Sequence, residues 1–132
     1  MVSLIRIDHV QITAPRARER EARHFYGSVL GLRELVRPRT LPASSLAFAL
    51  GEATELHVVL EENPFRPPLG DHFAIAVDDL APMKRRLADH GFGYTPAPEQ
   101  DGQQRMFVQD PFGNQLEFLA PAAGRSRRWG GA

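Results

Sequence analysis

The chain has 132 residues, 42% apolar and 24% charged, and its sixteen basic residues balance sixteen acidic ones. This is the composition of one globular domain with a real core, and zero net charge argues against nucleic acid or an anionic membrane as a partner held by global charge. Cysteine is absent, which removes disulfides, thiolate nucleophiles and cysteine zinc sites and fits a reducing cytoplasm.

Charge at Arg6 and Asp8 interrupts the N-terminus too early for a signal peptide. No apolar run approaches the ~20 residues of a membrane helix. A cytoplasmic chain is the expectation.

In chain order, the first element is a strand through Asp8-His9-Val10-Gln11-Ile12, with Val10 and Ile12 on one face and His9 on the other. Thr13 is the predicted cap of a helix whose stripe is Ala22, Phe25, Tyr26, Val29 and Leu30, stopped by Gly31. Three strands are predicted next, over about 33–39, 45–50 and 54–61. Asn63 to Leu69 is proline-rich and cannot continue a central strand, so it reads as a linker.

The pattern then repeats. Asp71-His72-Phe73-Ala74-Ile75 returns as an alternating strand, with Phe73, Ile75 and Val77 on the apolar face. Asp78 or Asp79 caps a second helix with Pro82 in its first turn, a Leu80, Met83 and Leu87 stripe, and Gly91 as its stop. Strands over about 93–97, 104–109 and 115–119 follow, the last two joined by a turn at Asp110-Pro111-Phe112-Gly113-Asn114. Residues 121–132 are small, basic and glycine-rich, the composition of a disordered tail.

The predicted fold is therefore α+β: a single domain over 1–120 made of two βαβββ modules, about 4–62 and 70–120, with linker 63–69. Helices lie outside, and the free sheet faces curl around a cleft. Each small half leaves an apolar edge, which favours a homodimer.

The repeat also aligns chemistry. Glu55-Leu56-His57-Val58 in the last strand of the first module matches Gln115-Leu116-Glu117-Phe118 in the second. His9 then pairs with His72, and His57 with Glu117, at separations of 57 − 9 = 48 and 117 − 72 = 45 residues. Alternation turns Leu56, Val58, Leu116 and Phe118 to the helix, so His9, His57, His72 and Glu117 share the opposite side. Three imidazoles and one carboxylate suit Zn²⁺, Ni²⁺, Fe²⁺ or Mn²⁺. With His57 as a hydrogen-bonded neighbour instead, His9, His72 and Glu117 make the facial triad of non-haem iron oxygenases.

Bland readings serve the remaining candidates. His24 and His90 read as helix-surface or helix-end residues, and Asp8 and Asp71 as partners of backbone groups at strand starts. Arg33, Arg37, Arg39 and Arg105 suit an acidic substrate or, equally, a solvated strand face. Arg125, Arg127 and Arg128 are too few for a nucleic-acid site, and no Gly-x-Ser-x-Gly, phosphate-loop or His-Glu-x-x-His motif is present.

The ordered pieces Asp8-His9-Val10, His24-Phe25-Tyr26-Gly27-Ser28-Val29-Leu30-Gly31-Leu32, Leu56-His57-Val58, Asp71-His72-Phe73-Ala74, Val77-Asp78-Asp79-Leu80 and Asp110 to Glu117 cover about 4–120. Together they resemble the vicinal-oxygen-chelate superfamily of glyoxalases, bleomycin-resistance proteins and extradiol dioxygenases. The resemblance implies a divalent metal at His9, His57, His72 and Glu117 that activates a small substrate presenting adjacent oxygens. It also implies dimers whose sites join one half of each chain.

One departure stands out. Glyoxalases that isomerise the glutathione hemithioacetal carry a carboxylate at both last-strand positions, whereas this chain has His57 at the first. Glu117 is then the single candidate proton acceptor of that pair, and lactoylglutathione lyase activity becomes doubtful. Two classes remain open: a metal-dependent lyase or isomerase, with an Fe(II) extradiol dioxygenase as its variant, and a metal-free module that binds a drug or metabolite. The four liganding residue types favour the enzyme.

Overall fold

The computed structural model describes residues 1–36, 41–42 and 44–122. The chain divides into two compact units, Met1–Arg66 and Pro67–Ala132. Each is built on one four-stranded sheet.

In the first unit, β1 (His9–Pro15) is followed by a short 3-10 turn (Arg16–Arg18), α1 (Glu19–Arg23) and a π-helical segment (His24–Val29). Strands β2 (Glu34–Leu35), β3 (Ser45–Leu50) and β4 (Thr54–Glu61) complete it. The sheet order is β1-β4-β3-β2, with β1 parallel to β4 and the other pairs antiparallel. Val58 pairs with Ile12 and Leu46, and Leu56 with Val10 and Phe48, so these side chains share one face. The helical stretch covers that face with Ala22, Phe25, Tyr26 and Val29, all fully buried. Tyr26 meets Phe48 with ring centroids 6.0 Å apart. Each such buried aliphatic or aromatic side chain contributes about 1.5–3 kcal/mol relative to exposure.

Thr13 does not cap this helix. It lies within β1, paired with Val59, because the parallel ladder with β4 holds the strand as far as Pro15. The predicted single helix is also three pieces, and Leu30 donates its N–H to Phe25 O at 2.9 Å across the wider π turn. Adjacent Phe25 and Tyr26 are both buried there, edge to face at 4.9 Å.

The second unit repeats the plan with β5 (His72–Ala76), α2 (Leu80–Asp89), β6 (Thr95–Gln100), β7 (Gln103–Gln109) and β8 (Gln115–Pro121). Its order is β5-β8-β7-β6, with β5 parallel to β8. Asp79 caps α2 through its carboxylate and the Ala81 N–H, and Leu80 and Leu87 are buried, with Met106, Val108, Leu116 and Phe118 buried on the sheet. Gly31 (φ 79°) and Gly91 (φ 77°) adopt the left-handed conformation where the two helices stop.

Between β7 and β8 the predicted turn is a closed knot of hydrogen bonds. Asp110 Oδ1 accepts from the Phe112 and Asn114 N–H groups, and Asn114 Nδ2 donates to Asp110 Oδ2 at 2.8 Å. Both side chains are buried, so each polar atom here needs the partner it has.

Strands β3 and β4 match their predicted bounds. The last strands of the second unit run longer, because Pro121 still pairs with Gln103 and Ala122 donates to Gly102 O at 2.8 Å. Arg37 and Arg39, and the tail from residue 123, lie outside the described residues. Among the described residues no helix is long and apolar enough to cross a membrane.

Candidate metal centre

The strand registers put the four predicted ligands on the faces that the helices leave free. In the first unit His57 on β4 pairs with Gln11 and Ala47, and His9 on β1 pairs with Glu55. The two imidazoles stack, with centroids 4.4 Å apart and planes 20° from parallel. In the second unit Glu117 on β8 pairs with Ala74 and Phe107, and His72 on β5 pairs with Gln115. His72 Nε2 lies 3.1 Å from Glu117 Oε1. Each unit thus brings two of the four together. Within neither unit do three His, Asp or Glu side chains of the described residues gather as an ion site.

Each of the three candidate histidine ligands has a ring nitrogen anchored by an oxygen of its own unit. Asp8 Oδ2 takes His9 Nδ1 at 2.9 Å, Gly70 O takes His72 Nδ1 at 2.9 Å, and Glu55 Oε1 takes His57 Nε2 at 3.0 Å. A carboxylate or carbonyl on one nitrogen fixes the tautomer and turns the other nitrogen's lone pair outward, the usual arrangement behind a metal-ligating histidine. His57 shows the consequence: the residue is 5% exposed, and its Nδ1 has no hydrogen-bond partner. A buried acceptor left so costs about 1–3 kcal/mol, which a bound cation would offset.

At His72 both nitrogens face acceptors. A neutral imidazole has one N–H to donate, so the tautomer that donates to Gly70 O turns the Nε2 lone pair toward Glu117, where the two would face a cation as ligands. Donor type, tautomer locking and the orphaned Nδ1 all fit a divalent ion held by imidazole nitrogen and carboxylate oxygen.

Two neighbours escaped the sequence reading as members of the site. Arg105 on β7 donates Nε to Glu117 Oε2 at 2.6 Å and lies over the Phe107 ring at 5.6 Å. Glu117, itself buried, holds the Arg105 guanidinium above its ordinary range through that hydrogen bond. Glu55 is the other, and the signal for it was alternation, since it lies two residues from His57 on the same face. For Arg105 the signal was the same alternation on β7, but its partner required the β7–β8 register.

Asp8 departs from its expected role. Its carboxylate serves His9 and Arg6 rather than the backbone, and the His9 hydrogen bond, followed by Arg6, holds its pKa below the ordinary aspartate value. Asp71 is exposed, and it is its backbone N–H that bonds Pro68 O. His24 is exposed in the π-helical segment, and His90 ends α2 with Nδ1 2.9 Å from Arg86 O, both as read. Arg33 is exposed before β2.

Two βαβββ units thus carry histidine and carboxylate side chains on their helix-free faces. The family model of the Glyoxalase/Bleomycin resistance protein/Dioxygenase superfamily matches residues 6–118, and the chain belongs to that superfamily. A crystal structure of a glyoxalase family protein from Bacillus anthracis is 35% identical, covers 92% of this chain and 99% of its own, and superposes with a TM-score of 0.81. A glyoxalase family protein from Enterococcus faecalis is 27% identical, with 86% and 96% covered and a TM-score of 0.68. The oxidase ChaP-H2, 21% identical with 92% and 98% covered and a TM-score of 0.70, shares the fold. No curated protein matches the chain significantly.

Proposed function

We propose that this chain is a divalent-metal enzyme acting on a small substrate with two adjacent oxygens, by lyase or isomerase chemistry, with His9, His57, His72 and Glu117 as ligands. The observation that carries the reading is the buried, unpartnered Nδ1 of His57 beside a ring already anchored by Glu55. When bound, the ion (Zn, Ni, Fe or Mn) supplies Lewis-acid polarisation of the substrate oxygens.

The chain's own residues do the rest. Asp8, Glu55 and the Gly70 carbonyl hold the three rings in place. Arg105 orients Glu117, the proposed proton acceptor, through its Nε hydrogen bond. A site of three neutral imidazoles and one carboxylate leaves a divalent ion formally positive, and Arg105 adds a further positive charge, so an anionic substrate or intermediate is favoured.

The four donors come in two pairs, one per unit, and a homodimer could combine pairs from different chains. Apolar side chains left in solvent support an interface: Val2, Leu4, Ile5 and Ile7 ahead of β1, with Phe65 at the end of the first unit and Leu69 near the start of the second.

Metal analysis of protein purified without added metal tests the reading, with about one divalent ion per chain expected and loss in His72→Ala and Glu117→Ala. Mixing His9→Ala with His72→Ala protein then tests sharing: a shared arrangement restores one of the two sites in each mixed dimer, whereas sites within single chains restore none. Protein that takes up no metal leaves the drug- or metabolite-binding reading in its place. A second enzyme reading, an Fe(II) dioxygenase using His9, His72 and Glu117, is favoured by the Glu55 bond and the stacking that already engage His57. Oxygen uptake with a catechol and Fe²⁺, undiminished in His57→Ala, would select it.

A further inference from the structure

The free face of the second unit carries more than ligands. His72, Gln115 and Gln109 lie in one row across β5, β8 and β7, and Ala74, Glu117, Phe107 and Thr95 lie in the next. A cavity of about 220 Å³ opens over this grid, lined by Leu69, Thr95, Phe107, Val108, Gln109 and Gln115. That is room for one substituted ring rather than a drug-sized ligand.

Three properties define what the cavity accepts. None of its lining residues is ionisable, so a charged group placed there finds no counter-charge in the lining. Phe107 supplies a flat apolar surface, and its ring also meets His72 edge to face at 5.1 Å. Gln109 and Gln115 are directly paired across the strands, and neither carboxamide has a hydrogen-bond partner among the described residues. Two neighbouring carboxamides present donors and acceptors side by side, the complement of another planar amide. Arg105 lies one row beyond Glu117 from the glutamines and is engaged by Glu117 Oε2.

We infer that this cavity is a substrate subsite for an uncharged planar group carrying a donor and an acceptor, an aromatic carboxamide or lactam. The inference rests on the metal-enzyme reading for what lies next to it. Gln115 precedes Glu117 by two residues on β8, about 7 Å along an extended strand. That distance is one aromatic ring, so a ring with its adjacent oxygens at Glu117 reaches with its opposite edge to the row that holds the two glutamines.

The test compares two catechols of nearly the same shape, protocatechuamide and protocatechuate, on Co²⁺-loaded protein by visible absorption and calorimetry. The amide is expected to bind about tenfold more tightly than the acid, the worth of one or two neutral hydrogen bonds. Gln109→Met and Gln115→Met, which keep the volume and remove the amides, should weaken binding of the amide about tenfold without changing Co²⁺ affinity. An acid that binds as tightly as the amide, or an amide affinity that survives in the double Met variant, overturns the subsite. If the protein takes up no Co²⁺, the enzyme reading falls. The same amide-to-acid ratio, read in metal-free protein from the glutamine side-chain NMR signals, then decides the subsite on its own.

Discussion

The two units of the chain share a backbone plan and differ in what they mount on it. On the free face of the first, the rows read His9, Glu55, Ala49 and then Gln11, His57, Ala47. On the second they read His72, Gln115, Gln109 and then Ala74, Glu117, Phe107. In the first unit alanines flank the last-strand residues, and a carboxylate anchors each imidazole. In the second the alanines are replaced by Phe107 and Gln109, and the space beside them becomes a cavity. One ladder thus yields a nitrogen-donor pair with rigid anchors in one copy, and a mixed donor pair beside a pocket in the other. Duplication preserved the helix-facing side, where Leu56 and Leu116 are both fully buried, and left the free side to diverge.

The largest effect is expected where the units agree. Leu56→Ala and Leu116→Ala each remove a fully buried side chain from the equivalent place in a sheet, and each should cost about 2–5 kcal/mol. Chemical denaturation monitored by circular dichroism measures both. Equal losses mean the two cores are packed alike, whereas a difference beyond about 2 kcal/mol would show that duplication did not preserve them.

Metal affinity should break the symmetry next. Glu117→Gln removes a proposed ligand and should weaken Zn²⁺ or Co²⁺ binding by more than the ~10–100-fold typical of a lost supporting contact. Glu55→Gln, which touches only the ring behind the ligand atom, should fall within that range. Competition with a chromogenic chelator gives both constants, and a Glu55→Gln effect as large as that of Glu117→Gln would make Glu55 a ligand itself.

The repeat made the fold legible. Alternation around His9 and His72 set the strands, and helical stripes ending at Gly31 and Gly91 set the helices. Matching the last strands put His9, His57, His72 and Glu117 on the side away from the helices, where the registers also place them. What alternation could not carry was pairing across strands. It placed Arg105 on a face but not against Glu117, which required the register of β7 on β8. Thr13 misled for the same reason: a threonine before a helical stripe looks like a cap, and only the ladder with Val59 shows it to be strand. The partners of the His72 and His9 Nδ1 atoms were invisible too, since Gly70 O and Asp8 act through local turns of the chain.

The smallest expected effect is also the sharpest comparison of the units. Wild-type protein, with one carboxylate at the last-strand positions, should isomerise a glutathione hemithioacetal weakly or not at all. Replacing His57 by glutamate alone is a poor copy of the second unit, because Glu55 lies within hydrogen-bond distance of the ring it would replace. Two carboxylates would then crowd a buried position, and the variant should lose stability on the order of 1 kcal/mol to like-charge repulsion. Gln115 shows how the second unit avoids this, with an amide where Glu55 stands. The paired change Glu55→Gln with His57→Glu reproduces the Gln115 and Glu117 pattern in the first unit. It should recover that stability in thermal melts and exceed the single variant in hemithioacetal turnover. If the single variant proves as stable and as active as the pair, Glu55 does not press on position 57, and its role as the anchor of His57 fails with it.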